Sequence, residues 1–356
     1  SAKQGQKYEK ALQEKKIRFA YEEDLAENLW RDRSAFPAGR AYVIPEEIAG
    51  KSVAEKLSEV RAKIIKMISD GNGQAKETQA GFLLTKLDDI MWLLNIRGCD
   101  VECNPVAMSY FYMDEERSVL FIHRQAVEGD GRVPGADRLK VKLDYDCVGH
   151  LQRNGIEIRE YDEIVDFLKA LPREEKVLLD LRYCNYTLYK ILQTRGTEEK
   201  LTTGSEQSWG QIVEGSNPTE ALKTVKNPTE LANMERIFLK DSVALTKFIY
   251  WLKTNIGKIE ITEVSAADKL EEFRREIPEF IDLSFPTIAG YKANAAMMHY
   301  EATPEDYAVL KPEGMLLVDS GGQYLGGTTD VTRTIVLGPI SREEKCHYTL
   351  VLQGML

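Results

Sequence analysis

Alternating apolar and polar positions divide the chain into three blocks. In the first, residues 8–15 read as a charged helix and 17–20 as a short strand. Residues 24–30 read as a second helix with Leu25, Leu29 and Trp30 on its apolar face. Residues 33–50 carry Pro37, Gly39, Pro45 and Gly50 and read as a linker or surface loop. Ser52 and Glu55 then form a capping-box pattern, and Val53, Leu57, Val60, Ile64 and Ile68 recur at helical spacing until Gly71. In the second block, strands are expected at 81–84, 108–112, 118–122, 156–159 and 177–180, with helices at 88–94 and 161–171 between them. The pair 108–112 and 118–122 reads as a hairpin around 114–117. This mixture predicts an α/β layer domain over 45–222. The third block opens at Asn227-Pro228-Thr229, where a proline suits the first turn of a helix. A long helix is expected over 230–253, with a stripe of Leu231, Met234, Ile237, Phe238, Ser242, Leu245, Phe248, Ile249 and Leu252. A second helix, 261–273, takes Thr262 as its cap. Ser341 and Glu344 make a further capping box, and the helix they open runs through Val351, Leu352 and Met355 to the last residue. That unfinished apolar run makes residue 356 an expected interior point of a longer protein, and the absence of a starting Met leads to an expectation of a processed product.

A length of 356 residues leads to an expectation of two or three domains. With 43% hydrophobic and 29% charged residues the composition is that of a globular protein, which excludes a wholly disordered chain. No apolar run reaches the ~18 residues of a membrane helix, so no membrane role is expected. No secretory leader is visible. The net charge of −10 argues against nucleic acid as a partner. Five cysteines are sparse and odd in number. Cys99 and Cys103 have no second pair to complete a zinc-finger spacing, so reduced thiols in a cytoplasmic protein are expected rather than a structural metal.

The strongest chemical signal is the stretch 316–334, two strands joined by a Gly-rich bend. If the bend is centred at Tyr324–Leu325, Asp319 faces Asp330 across the ladder. Opposed carboxylates repel, and a bound divalent cation, or a pair of them, would offset the repulsion. Thr332 and Thr334 extend the polar face. The alternative is two solvated aspartates on an exposed hairpin. His299, in the strand-like run 295–300, is the second candidate; an isolated histidine there is also compatible with a hydrogen-bonded core residue. His123, His150 and His347 carry no companion motif and are assigned to structure or surface.

Three stretches carry a family resemblance: Thr262-Glu263-Val264-Ser265-Ala266-Ala267-Asp268-Lys269 with Glu271 to Arg275; Asp282-Leu283-Ser284-Phe285-Pro286-Thr287-Ile288 on to His299-Tyr300; and Asp319-Ser320-Gly321-Gly322 through Gly327-Thr328-Thr329-Asp330-Val331-Thr332-Arg333-Thr334. Residues 87–98 and 100–106 add to it. Together they resemble the pita-bread metallopeptidase family of aminopeptidase P, prolidase, methionine aminopeptidase and creatinase, with the long, three-domain Xaa-Pro aminopeptidase branch nearest.

The resemblance implies an α/β (α+β) fold: a tail of a creatinase-like N-terminal domain over 1–40, a creatinase/prolidase-like middle domain over 45–222, and the first part of a pita-bread catalytic domain over 228–356. It implies two divalent metals, Mn(II) with Zn as the alternative, held by two Asp, one His and two Glu. Asp319 would chelate one metal and Asp330 would bridge both, while His299 would contact the substrate. The implied reaction is metal-assisted hydrolysis of an Xaa-Pro bond at a peptide N-terminus, by a cytoplasmic enzyme that is a homodimer when full-length. The His and both Glu ligands are expected beyond Leu356, so this polypeptide alone is expected to be inactive. A prolidase-like dipeptidase and a non-catalytic binding module of the same fold are the alternatives; creatinase-like hydrolysis without metal is disfavoured because that branch lacks the paired aspartates.

Overall fold

Runs of apolar residues on adjacent strands need helices on both sides of the sheet to cover them, and the first part of the chain supplies them. The structure, a computed structural model, describes residues 1–21, 29–34, 36–70, 80–129, 133, 142–195 and 211–356. Most of the helix expected at 24–30, and the Gly71 stop, lie outside the described residues. Two compact units divide the chain, the first within Ser1–Asn227 and the second built on Pro228–Leu356.

In the first unit the elements are α1 (Ala2–Glu14), β1 (Tyr42–Val43), α2 (Glu46–Ala49), α3 (Val53–Asp70), β2 (Ala80–Leu84), α4 (Leu87–Leu93), β3 (Ile96–Arg97), β4 (Ser109–Met113) and β5 (Ser118–Ile122). They continue with α5 (Arg124–Glu128), α6 (Cys147–Arg153), β6 (Glu157–Arg159), α7 (Ile164–Ala170), β7 (Lys176–Leu179), α8 (Tyr186–Thr194), β8 (Ile212–Glu214) and α9 (Pro218–Thr224). The main sheet has the order β6-β5-β4-β2-β7-β8, antiparallel across β5-β4-β2 and parallel at both edges. Its strands alternate between two cores. Phe82, Leu84, Phe111, Met113, Leu120 and Ile122 pack with α3, α4, α5 and α6. Leu83, Tyr112, Val119, Phe121, Val177 and Leu179 pack with α7 and α8. The α/β layer expectation and the 109–122 hairpin therefore agree with the structure.

Three local expectations are corrected. Residues 17–20 form no strand, and among the described residues no strand pairs with them. The stretch 33–50 is not only loop: Ala41 to Ile44 are buried and β1 pairs with β3. The helix expected at 8–15 begins six residues earlier, at Ala2. Ala2 is buried, its N–H donates to the Cys184 carbonyl at 2.7 Å, and α1 lies against α8. All five cysteines are free thiols.

The second unit contains α10 (Pro228–Asn255), α11 (Glu263–Arg275), β9 (Phe280–Leu283), β10 (Ile288–Tyr291), β11 (Met315–Ser320), β12 (Gly322–Tyr324), β13 (Gly327–Thr328), β14 (Val331–Val336) and α12 (Arg342–Met355). Thr262 caps α11 by accepting from Ser265 N–H, and Ser341 caps α12 by accepting from Glu344 N–H, both within capping boxes. Two antiparallel three-stranded sheets, β10-β11-β14 and β13-β12-β9, follow the helices. Leu245, Phe248 and Leu252 of α10, Ala266 and Leu270 of α11, and Ala289, Tyr291, Leu316, Val318 and Ile335 of the first sheet share one core. The long helix is amphipathic as expected, but Leu231 and Phe238 of its expected stripe are exposed, while Asp241 is buried within it.

A charged residue also lies at the heart of the first unit. Lys56 on α3 is 1% exposed; its Nζ donates to the Trp92 carbonyl at 2.9 Å and to Asn95 Oδ1 at 2.7 Å, and lies 4.2 Å from the Trp92 ring centre. Lys56→Ala removes the donor and leaves a cavity, and should lower stability by about 2–4 kcal/mol. Lys56→Met, which keeps the volume, should cost less. Urea unfolding followed by tryptophan fluorescence checks both.

Candidate metal and substrate site

The long hairpin of the second unit has one apolar and one polar side. Leu316, Val318 and Ser320 point inward and are buried, so Leu317 and Asp319 take the opposite face of β11. On β14 the ladder pairs Leu317 with Thr334 and Asp319 with Thr332. Thr332 Oγ1 donates to Asp319 Oδ1 at 2.7 Å. Asp330 comes one residue before β14, is exposed, and lies two positions from Thr332. The direct facing of Asp319 and Asp330 is thus corrected to a diagonal on the same face, a relation that in a regular ladder spans roughly 7–8 Å between Cα atoms. The bend is centred one residue later than expected, between Leu325 and Gly326, because Gln323 pairs with Thr328 and Tyr324 with Gly327. Tyr324 is needed inside: it is 5% exposed and its hydroxyl donates to Asp241 Oδ1 at 2.5 Å.

Between Ser320 and Gly322 the hairpin passes from one sheet to the other, and Gly321 allows it. A Cβ there would lie 2.0 Å from the Thr329 carbonyl oxygen and 2.2 Å from Ser284 Oγ. Ser284 Oγ donates to the same Thr329 oxygen at 2.9 Å, and Thr329 exchanges bonds with Gly322, N–H to carbonyl at 2.9 Å and Oγ1 from Gly322 N–H at 3.0 Å. Thr329 is fully buried, so the residue before Asp330 is fixed on three sides.

A buried ion pair holds the base of this hairpin. Arg274 of α11 donates through Nε to Asp241 Oδ1 at 2.7 Å, and through Nη2 to Asp241 Oδ2 at 3.3 Å and Ser320 Oγ at 3.1 Å. Both charged residues are at most 2% exposed. Burial, then the bond to Asp241, pushes the Tyr324 phenol far above its ordinary range, so it stays a neutral donor.

His299 is not on a strand. A 3-10 turn, Lys292–Ala296, follows β10, and His299 lies beyond it, exposed, with φ of 55°. Its neighbour Tyr300 is tied to Glu263 at the start of α11. Of the other histidines, His150 Nε2 bonds the Leu94 carbonyl at 2.9 Å, His123 stacks on Tyr161, and His347 is exposed on α12.

Sequence reasoning missed Asp241, Arg274 and Glu263 as supports. For Asp241 a signal existed: a carboxylate between Ile237 and Leu245 falls on the buried side of an amphipathic helix.

As hard oxygen donors the two aspartates fit a divalent cation of the Mn, Mg or Ca type. Among the described residues neither is paired with Lys or Arg, so neither charge is neutralised by the protein, and Asp319 keeps Oδ2 for a ligand. The described residues hold no cluster of three or more His, Cys, Asp or Glu placed to bind a metal. The donor type fits, and the donor number falls short of the four to six that such ions take.

Residues 32–230 match the model of the creatinase/prolidase N-terminal domain, and residues 232–356 match metallopeptidase family M24. The chain belongs to the creatinase/prolidase family. Among its relatives is a probable Xaa-Pro aminopeptidase P of Metarhizium robertsii, 34% identical over 338 residues, covering 94% of this chain and 50% of the relative. A protein of the same description from Sclerotinia sclerotiorum is 33% identical, with 94% and 51% covered. The chain thus spans about half the length of the curated relatives it matches. The X-prolyl aminopeptidase of Caenorhabditis elegans, described as a cytosolic enzyme with a di-nuclear active site, has a TM-score of 0.82 at 26% identity, over 99% of this chain and 53% of that one. A Xaa-Pro dipeptidase from Bacillus anthracis shares the fold, with a TM-score of 0.57 at 17% identity over 85% of this chain and 70% of that one.

Two substitutions test the supports of this creatinase/prolidase hairpin. Gly321→Ala forces the Thr329 carbonyl away and should destabilise by about 2–3 kcal/mol; thermal unfolding measures it. Arg274→Leu strands the Asp241 carboxylate in the core and should cost about 3–5 kcal/mol, with the double variant Arg274→Leu/Asp241→Leu recovering part of the loss.

Proposed function

We propose that the chain is part of a Xaa-Pro aminopeptidase, a metal-dependent hydrolase that releases the N-terminal residue from peptides with proline in second position. The observation that carries this reading is the pair Asp319 and Asp330: two carboxylates on one open face of a firmly braced hairpin, with no Lys or Arg paired to either among the described residues. The similarity to aminopeptidase P sequences along 94% of the chain supports the substrate class.

In this reading Asp319 and Asp330 hold two divalent ions, manganese by preference, together with a His and two Glu from sequence C-terminal to Leu356. When bound, such ions activate water and stabilise charge on the amide oxygen of the scissile bond. The chain's own residues do the rest. Thr332 occupies Asp319 Oδ1 and so orients Oδ2 toward a ligand. Thr329 and Gly321 set the position of Asp330. His299, exposed on its turn, contacts the peptide. A homodimer, a cytoplasmic location and the division into a 1–40 tail, a 45–222 middle domain and a partial catalytic domain over 228–356 belong to the same proposal. No helix among the described residues is long and apolar enough to cross a membrane.

Assay of the full-length polypeptide with Mn(II) should show cleavage of an Xaa-Pro-Pro peptide in preference to an Xaa-Pro dipeptide; the reverse preference makes it a prolidase. Asp319→Ala and Asp330→Ala should each lower kcat/KM by roughly 100-fold or more. Calorimetric titration of the 356-residue chain with Mn(II) should find fewer than two tight equivalents, and two tight equivalents would overturn the incomplete site.

A further inference from the structure

Glu263 is a fully buried carboxylate at the first position of α11. Among the described residues it meets no Lys, Arg or His. Instead its two oxygens collect neutral donors. Tyr291 N–H reaches Oε1 at 2.7 Å, and Asn294 Nδ2 reaches both oxygens at 3.1 Å. The Tyr300 hydroxyl and Ala308 N–H each reach Oε2 at 2.7 Å. Asn294 Nδ2 also lies 3.0 Å from the Tyr300 oxygen. Burying a carboxylate without a cation costs heavily unless every lone pair is used, and stability alone is served more cheaply by an apolar side chain. Tyr291 and Ala308 lie on either side of the turn that carries His299, and Asn294 and Tyr300 lie within it.

That segment is strained. Lys292 and His299 have φ of 50° and 55°, so both ends of the turn adopt the left-handed conformation without being glycine. Such residues persist only where the surroundings over-determine them. The turn is also pressed onto β10: a Cβ at Gly290 would lie 2.8 Å from Ala295 Cα. Three constraints therefore meet at 292–300, and Glu263 supplies the one with most bonds.

We infer that Glu263, acting through Tyr300, is the positioning residue for His299: it locks the turn in the conformation that presents the imidazole. This rests on the reading of His299 as the residue that meets the substrate. It adds a buried residue 36 positions upstream, outside the metal and substrate contacts, to the set on which the reaction depends.

Tyr300→Phe removes the O–H donor to Glu263 and the oxygen that Asn294 Nδ2 reaches, and keeps the ring. In the 356-residue chain, hydrogen exchange of amides 294–300 should speed up about 5- to 10-fold, with amides of β11 unchanged. Glu263→Gln should loosen the turn further, and Tyr300→Phe keeps the test decisive should Glu263→Gln fail to fold. In the full-length polypeptide with Mn(II), Tyr300→Phe should lower kcat/KM roughly 3- to 10-fold, and by less than about 2-fold when His299 is already Ala. Unchanged exchange at 294–300, or an equal kinetic loss in both backgrounds, would overturn the positioning role. Full activity of His299→Ala would instead bring down the reading of His299 as a substrate contact, while the exchange data still decide whether Glu263 locks the turn.

Discussion

The second unit hangs on one buried ion pair. Asp241 comes from the middle of a 28-residue helix and Arg274 from the end of the next. Neither charge reaches water, so each is tolerable only with the other beside it. Their remaining bonds go to Ser320 and Tyr324, on either side of the point where the hairpin changes sheets. Four elements are therefore locked to a single register. A hydrophobic contact at the same place would leave the helices free to slide by a fraction of a turn; a bidentate pair with two further hydroxyl partners does not.

From that lock the layout of the candidate site follows. With Ser320 and Tyr324 held inward, the alternation of the strand sends Asp319 outward. The apolar side of the ladder packs on α10 and α11, and the polar side collects Asp319, Thr332, Thr334 and Asp330. Strand geometry separates the two roles: the residues that stabilise and the residues proposed to bind alternate along the same backbone. The His299 turn reaches the same unit by a different device, a buried carboxylate with neutral donors in place of an ion pair, and takes its shape from Glu263 at the start of α11.

Much of the fold was legible. The capping boxes at Ser52, Thr262 and Ser341, the strand runs of the first unit and the long helix from Pro228 are local signals, carried by residues close in sequence. Asp319 and Asp330 were also identifiable as a pair, because both fall on one hairpin. What failed was non-local. Residues 17–20 have strand character and, among the described residues, no partner strand. Leu231 and Phe238 lie on an apolar stripe that the core does not reach. His299 lies in a run that reads as extended and is bent into a turn by groups distant in sequence.

The bend of the hairpin marks the boundary between the two kinds of information. Sequence alone determined that two strands rich in aspartate and threonine are joined by glycines, and hence that hard oxygen donors share a face. The relation of Asp319 to Asp330, facing or diagonal, depended on where the chain turns, and several glycine positions allow the turn. Tertiary structure decided it, because the Tyr324 hydroxyl is buried and reaches a carboxylate 83 residues away. A buried donor without a partner costs more than a shift of one residue in a flexible bend.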